Sequence, residues 1–191
     1  MDPLERLPRI ALILAPDGRI RRVNRAWQER GQDRGLAVPD AWLGVSYLAL
    51  CRTARGRWTD GAEAVADAIE DVLDGGRQTA DVGYACDPPD GTAWFTLAVR
   101  SLPDAGGALL VHLETPDPRA LPAADRHLTD VAWRHLLGVE TRCAWCARLA
   151  EPDGSWRERH PVDTARVSDG LCPGCERMML RQLAIPAVAT T

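Results

Sequence analysis

Arg9-Ile-Ala-Leu-Ile-Leu-Ala15, then Pro16-Asp17-Gly18, then Ile20 to Val23 and Asn24-Arg25-Ala26-Trp27, is the stretch that decides the fold. A short apolar run bounded by turn residues reads as a buried strand. Pro16 fixes φ, the Asp17 side chain can cap the turn and Gly18 is free in φ, so Ile20–Val23 returns as the second strand of a hairpin. Asn24 is a favourable N-cap, and Arg25 to Arg34 is expected to be helical, with Ala26 and Trp27 facing inward.

Working outward, residues 35–44 are loop-like, with Pro39 and Asp40, and Val45 to Arg55 reads as a helix with Tyr47, Leu48 and Cys51 on one side. Residues 62–73 carry the clearest helical pattern. Ala64, Val65, Ala68, Ile69, Val72 and Leu73 form one stripe, with Asp67, Glu70, Asp71 and Asp74 turned to solvent, and Gly75-Gly76 closes the helix. Three strands follow, Thr79–Cys86, Ala93–Val99 and Gly107–Leu113, joined by turns at Asp87-Pro88-Pro89-Asp90-Gly91 and Pro103-Asp104-Ala105-Gly106. The second alternates, with Ala93, Phe95, Leu97 and Val99 on one face and Trp94 and Thr96 on the other. Two strands, several helices and three antiparallel strands define an α+β fold with helices on one side of the sheet. Ala123 to Leu137 is expected to be a further helix, a connector or dimer seam, ended by Gly138. Residues 174–184 read as a terminal helix.

The chain has 191 residues, room for one ordinary domain and a small module. Its 23 basic residues are all arginine, a coding bias, and its net charge is −4. That balance gives no general reason to expect nucleic acid or an acidic membrane as partner. No segment approaches the roughly 20 apolar residues of a membrane span. Met1-Asp2-Pro3-Leu4-Glu5-Arg6 lacks the basic start and apolar core of a signal peptide. A cytoplasmic location is expected, where clustered cysteines bind metal or do redox work more often than they form structural disulfides.

The most specific chemistry lies in Cys143-Ala144-Trp145-Cys146 and Cys172-Pro173-Gly174-Cys175, with 25 residues between the pairs. Each C-x-x-C turn aims two sulfurs at one point, and two turns can complete a tetrahedral zinc site with Zn–S distances of about 2.3 Å. A module of some 50 residues lacks core enough to fold comfortably alone, and a metal can supply the difference. Arg142, Arg148 and Arg177 lie beside the thiols and could offset their charge, and Trp145 and Trp156 could pack over the sulfurs. A dithiol–disulfide switch and four plain thiols are the competing readings. His160 lies between the pairs at a spacing that fits neither. From residue 139 onward there are 7 Arg and 7 Asp or Glu, so the module has no basic stripe for nucleic acid.

Residues 9–115 resemble a PAS-type sensor domain. The resemblance rests on Asp17-Gly18-Arg19-Ile20 leading into Val23-Asn24-Arg25-Ala26-Trp27, on Gly44-Val45-Ser46-Tyr47-Leu48, on Tyr84-Ala85-Cys86 followed by Trp94-Phe95, and on Val111-His112-Leu113-Glu114-Thr115. It is similar to the PAS domains attached to bacterial sensor kinases and cyclases. The cysteine region resembles a C-x-x-C, G-x-W, H-G-x-C-P-x-C box at the end of various bacterial signalling proteins, with Asp169 here in place of the usual His. Together these imply a PAS-like domain over 1–116, a linker helix over 117–138 and a four-cysteine zinc module over 139–191.

Trp27, Tyr47, Cys51, Cys86, Phe95 and His112 are candidate pocket residues for a small-molecule ligand, and all six serve equally as core filling. Cys51 and Cys86 could meet across the sensor core. No Gly-rich phosphate loop, Ser-His-Asp order or kinase signature is present. The expectation is therefore a non-enzymatic signalling protein that acts on a protein partner or as a homodimer. A thiol redox-responsive regulator and a transcriptional regulator are the alternatives.

Overall fold

The computed structural model describes residues 2–33, 42–54, 61–86, 93–115, 123–158 and 166–182. A short helix, α1 (Pro3–Arg6), precedes the hairpin β1 (Ile10–Leu14) and β2 (Ile20–Val23). Three helices follow, α2 (Arg25–Asp33), α3 (Tyr47–Thr53) and α4 (Ala62–Leu73), then strands β3 (Thr79–Cys86), β4 (Ala93–Ser101) and β5 (Ala108–Thr115). The five strands form one antiparallel sheet in the order β2-β1-β5-β4-β3. The fold is α+β, as expected. The later part holds α5 (Ala123–Leu136), strands β6 (Val139–Cys143), β7 (Leu149–Ala150), β8 (Trp156–Arg157) and β9 (Arg166–Gly170), and α6 (Pro173–Gln182). Among the described residues no helix is long and apolar enough to cross a membrane.

Side-chain alternation splits the sheet's apolar residues between two layers. Leu12, Leu14, Leu97, Val99 and Leu110 face α4, which inserts Val65, Ile69 and Val72. Trp27, Tyr47, Leu48 and Cys51 close that layer from α2 and α3. Ala66 is buried and Ala64 exposed, so the inward stripe of α4 is displaced slightly from the expected one. Asp67 and Glu70 are not idle solvent charges, because Arg52 binds both at 2.7 and 2.5 Å and ties α3 to α4.

The opposite face is also covered. Ala11, Ile13, Ala98, Leu109, Val111 and Leu113 pack against Leu4 and Leu7 from the N-terminal segment and Leu128, Ala132 and Trp133 from α5. The helix expected as a connector or dimer seam thus packs on the sheet of its own chain. Continuous apolar runs such as Leu109-Leu110-Val111 require cover on both faces. Buried Arg100 pins α5 there, binding Asp130 at 3.0 Å and Asp81 at 2.8 Å, and Trp133 donates its indole N–H to the Ser101 carbonyl at 2.6 Å.

Gly107, immediately before β5, has no room for a side chain. At φ +97° a Cβ there would lie 1.9 Å from the Leu14 carbonyl oxygen. Gly107→Ala is expected to cost at least about 2 kcal/mol in urea unfolding. Gly75→Ala, also at positive φ but with nothing within 4 Å, is expected to cost only about 1 kcal/mol of backbone strain.

Candidate metal centre and sensor core

The two cysteine pairs meet because β6 and β9 run parallel. Their register places Cys143 beside Gly170, so β6 runs into the first C-x-x-C turn where β9 runs into the second. The Ala144 N–H donates to the Gly170 carbonyl at 3.0 Å and joins the turns directly. The first turn closes with the Ala147 N–H on the Cys143 carbonyl at 2.9 Å. The second opens α6: Pro173 occupies its first position, where no N–H is needed, and the Glu176 N–H reaches the Cys172 carbonyl at 2.9 Å.

The sulfurs of Cys143, Cys146, Cys172 and Cys175 all lie within 4.8 Å of one another. A tetrahedron with 2.3 Å metal–sulfur bonds has edges of about 3.8 Å, and the Cys146 and Cys172 sulfurs are 3.7 Å apart. Backbone N–H groups point at sulfur, from Cys172 to Cys143 Sγ and from Cys175 to Cys172 Sγ, each at 3.4 Å. Burial opposes ionisation of Cys143, but N–H donors of Cys146, Cys172 and Trp145 outweigh it and bring the thiol down to about 6. Cys175 is pushed up to about 12, foremost by its hydrogen bond with Cys172. The donor set is soft, compact and partly ionised, and it fits a metal such as zinc.

Around the sulfurs the expectations divide. Trp156 and Leu171 pack against the cysteines. Trp145 does not; it is 50% exposed at the tip of the first turn, where residues between the two ligands point outward. Arg142 does not serve the sulfurs either, because it binds Asp169, its register partner on β9, at 2.8 Å. Asp169 is thus an ion-pair residue of the β6–β9 seam. His160 lies outside the described residues.

In the core layer between the sheet and α2–α4, His112 of β5 is the centre of the aromatic residues. Its Nδ1 is 2.5 Å from the Tyr84 hydroxyl and its Nε2 3.5 Å from the Tyr47 hydroxyl. The Trp27 ring lies 6.0 Å away, and Phe95 stacks on Tyr84 at 5.5 Å. Trp27, Tyr47, Phe95 and His112 therefore converge, while Cys51 packs at the α3 side of the core. Burial raises the Cys51 thiol to about 11, the behaviour of an inert core cysteine. The Cys86 side chain lies outside what the structure describes, so its expected meeting with Cys51 does too. Tyr84, which the sequence reading placed in the family resemblance but not among the pocket candidates, joins them here. Its signal was the strand register, since it pairs with Phe95 two positions from the Leu97–His112 pair. Gly61 fits against it: at φ +98°, a Cβ there would lie 2.9 Å from Tyr84 Cβ.

Burial lowers His112 to about 4, so it is neutral at pH 7. An unfolded His titrates near 6.5, so between about pH 6.5 and 4 the unfolded chain binds a proton that the folded chain does not. His112 then contributes full stability above about pH 6.5 and loses it progressively toward pH 4, on the order of 3 kcal/mol in all. His112→Phe is expected to flatten the fall in urea midpoint across that window. An unchanged slope would show that His112 is not the group responsible.

A five-stranded antiparallel sheet in the order β2-β1-β5-β4-β3, with helices enclosing an aromatic core on one face, defines the class of the domain as α+β. The family model of the PAS fold matches residues 4–120, and the chain belongs to that family. Among solved structures, the photoactive yellow protein domain of the sensor histidine kinase Ppr from Rhodospirillum centenum is 16% identical over 56% of this chain and 87% of that one, with a TM-score of 0.42. The PAS domain of an HTR-like protein from Haloarcula marismortui is 19% identical over 59% of this chain and 85% of that one, at 0.38. The Vibrio cholerae VqmA dimer is 14% identical, with 61% of this chain and 50% of that one covered, at 0.43. No curated protein matches the chain. The family match ends at residue 120, so the cysteine module stands on its own geometry.

Proposed function

We propose that the chain is a non-catalytic signalling protein in which the PAS domain receives an input and a zinc-bound four-cysteine module presents the output to a protein partner or a second copy of the chain. The observation that carries this reading is the convergence of four sulfurs within 4.8 Å on a module tied to α1 through Arg6–Glu151 and to α5 through His135 and the Ala150 carbonyl. Cys143, Cys146, Cys172 and Cys175 would hold the metal. Zinc supplies no redox chemistry; its thiolate bonds fix the two turns against each other. Trp27, Tyr47, Tyr84, Phe95 and His112 would form the contact surface for a small ligand in the sensor core. The reading places the protein in a reducing cytoplasm, and the balanced charge of the module supports protein, in preference to nucleic acid, as partner.

The second reading is a thiol switch. It is favoured by the 3.7 Å approach of the Cys146 and Cys172 sulfurs, from which a disulfide needs only a small movement. Native mass spectrometry of protein purified under reducing conditions separates the two. About one zinc per chain, lost to chelator together with the order of the module, is the expected result. Metal-free protein with a reversible disulfide would replace the zinc reading with the switch. Binding of random DNA at low salt would restore the transcriptional alternative.

A further inference from the structure

Helix α1 faces two ways. The carboxylate of Glu5 accepts the Arg25 N–H at 3.1 Å, an open donor in the first turn of α2. The next residue, Arg6, reaches 145 positions along the chain, to Glu151 at 2.5 Å and Asp153 at 2.7 Å. Glu151 is 6% exposed and is shared, since Arg157 binds its other oxygen at 2.7 Å. A carboxylate so buried must be paired, which makes Arg6 an integral part of the cysteine module.

Glu151 and Asp153 belong to the turn joining β7 to β8. The Glu151 N–H donates to the Ser155 carbonyl at 2.9 Å, and the next residue, Trp156, packs on the sulfurs. Burial opposes the ionised form of Asp153, yet hydrogen bonds from Arg6 and Ser155 hold its carboxyl near 2. At the other end, the Asn24 side-chain amide donates to the Leu7 and Arg9 carbonyls at 3.1 and 2.7 Å, and its oxygen accepts the Trp27 N–H at 3.1 Å. Sulfurs, Trp156, the β7–β8 turn, Arg6, α1, Asn24 and Trp27 thus form one contiguous chain of contacts.

We propose that α1 is a relay between the cysteine centre and the sensor core, so that metal binding by the four sulfurs and ordering of α1 and the start of α2 reinforce each other. This rests on the zinc reading above. Thermodynamic reciprocity requires the effect in both directions: whatever loosens α1 weakens metal binding, and metal loss loosens α1.

The test compares zinc affinity, by competition with a chromogenic chelator, in the full chain and in Arg6→Ala, together with amide hydrogen exchange at residues 2–7 and 24–28 with and without zinc. Arg77→Ala, on an exposed ion pair with Asp71 just past the end of α4, is the neutral control. The expected result is a loss of zinc affinity of roughly fivefold or more in Arg6→Ala, none in the control, and faster exchange in α1 when zinc is stripped from the wild type. If Arg6→Ala does not fold, Asp153→Asn, altered only on the exposed turn, is expected to shift affinity in the same direction by less. Zinc affinity equal in wild type and both variants, or exchange that changes in the module but not in α1, overturns the relay and leaves the zinc site standing. A wild-type chain that binds no zinc overturns the zinc reading and the relay with it.

Discussion

Serine in place of Cys143 is expected to abolish zinc retention and to melt β6–β9 while the five-stranded sheet stays folded. Cys143 is fully buried, accepts the Cys172 N–H, and terminates the strand whose parallel pairing aligns the two turns. A serine hydroxyl is a poor soft-metal ligand and leaves a buried polar group in its place. Structural zinc contributes on the order of 10 kcal/mol to comparable small modules, more than the few apolar contacts of Trp156 and Leu171 can replace. Cys146→Ser is expected to be milder, because Cys146 is exposed and water can reach the vacated ligand position. Metal analysis gives the stoichiometry, and hydrogen exchange separates the module from the sheet. Retention of about one zinc by Cys143→Ser, or loss of protection in β1–β5 to the same degree as in β6–β9, would contradict the assignment.

What the sequence disclosed follows from the range of the interactions. The hairpin, α4 and the three later strands carry their own periodicity and turn residues, so they lie within a residue or two of where local rules place them. The four sulfurs were legible because C-x-x-C spacing is itself local geometry. The strands β7 and β8, of two residues each, contain no period to read. α1, of four residues, is too short for an amphipathic pattern, although its Asp2 cap and Pro3 follow the rules for a helix start. The cover on the outer sheet face had a signal in the unbroken apolar runs of β1 and β5, which a one-sided layout does not explain. The Arg6–Glu151 pair had none, since nothing local distinguishes one arginine among 23.

Asn24→Ala is the other large effect, and it is read in the stability of the PAS domain. Asn24 is fully buried, and its amide makes four hydrogen bonds, two as acceptor from the Ala11 and Trp27 N–H groups and two as donor to the Leu7 and Arg9 carbonyls. Its backbone N–H adds a fifth, to the Ala11 carbonyl at 3.0 Å. One side chain thus caps α2, fastens β1 and anchors the segment after α1. Alanine keeps the backbone bond and strands two donors and two acceptors. At about 1–3 kcal/mol for each buried group left unpaired, and with partial relaxation, a total of roughly 3–5 kcal/mol is expected, a large part of the roughly 5–15 kcal/mol that keeps an ordinary domain folded. Asn24→Asp separates capping from anchoring. It keeps both accepted bonds but sets a carboxylate against two carbonyl oxygens, so at neutral pH it should destabilise about as much as alanine. Below the pKa of the buried acid, the protonated side chain regains one donor and part of the loss should be recovered. If urea unfolding shows both variants within about 1 kcal/mol of the wild type, the contacts of Asn24 do not hold the hairpin, α2 and α1 together.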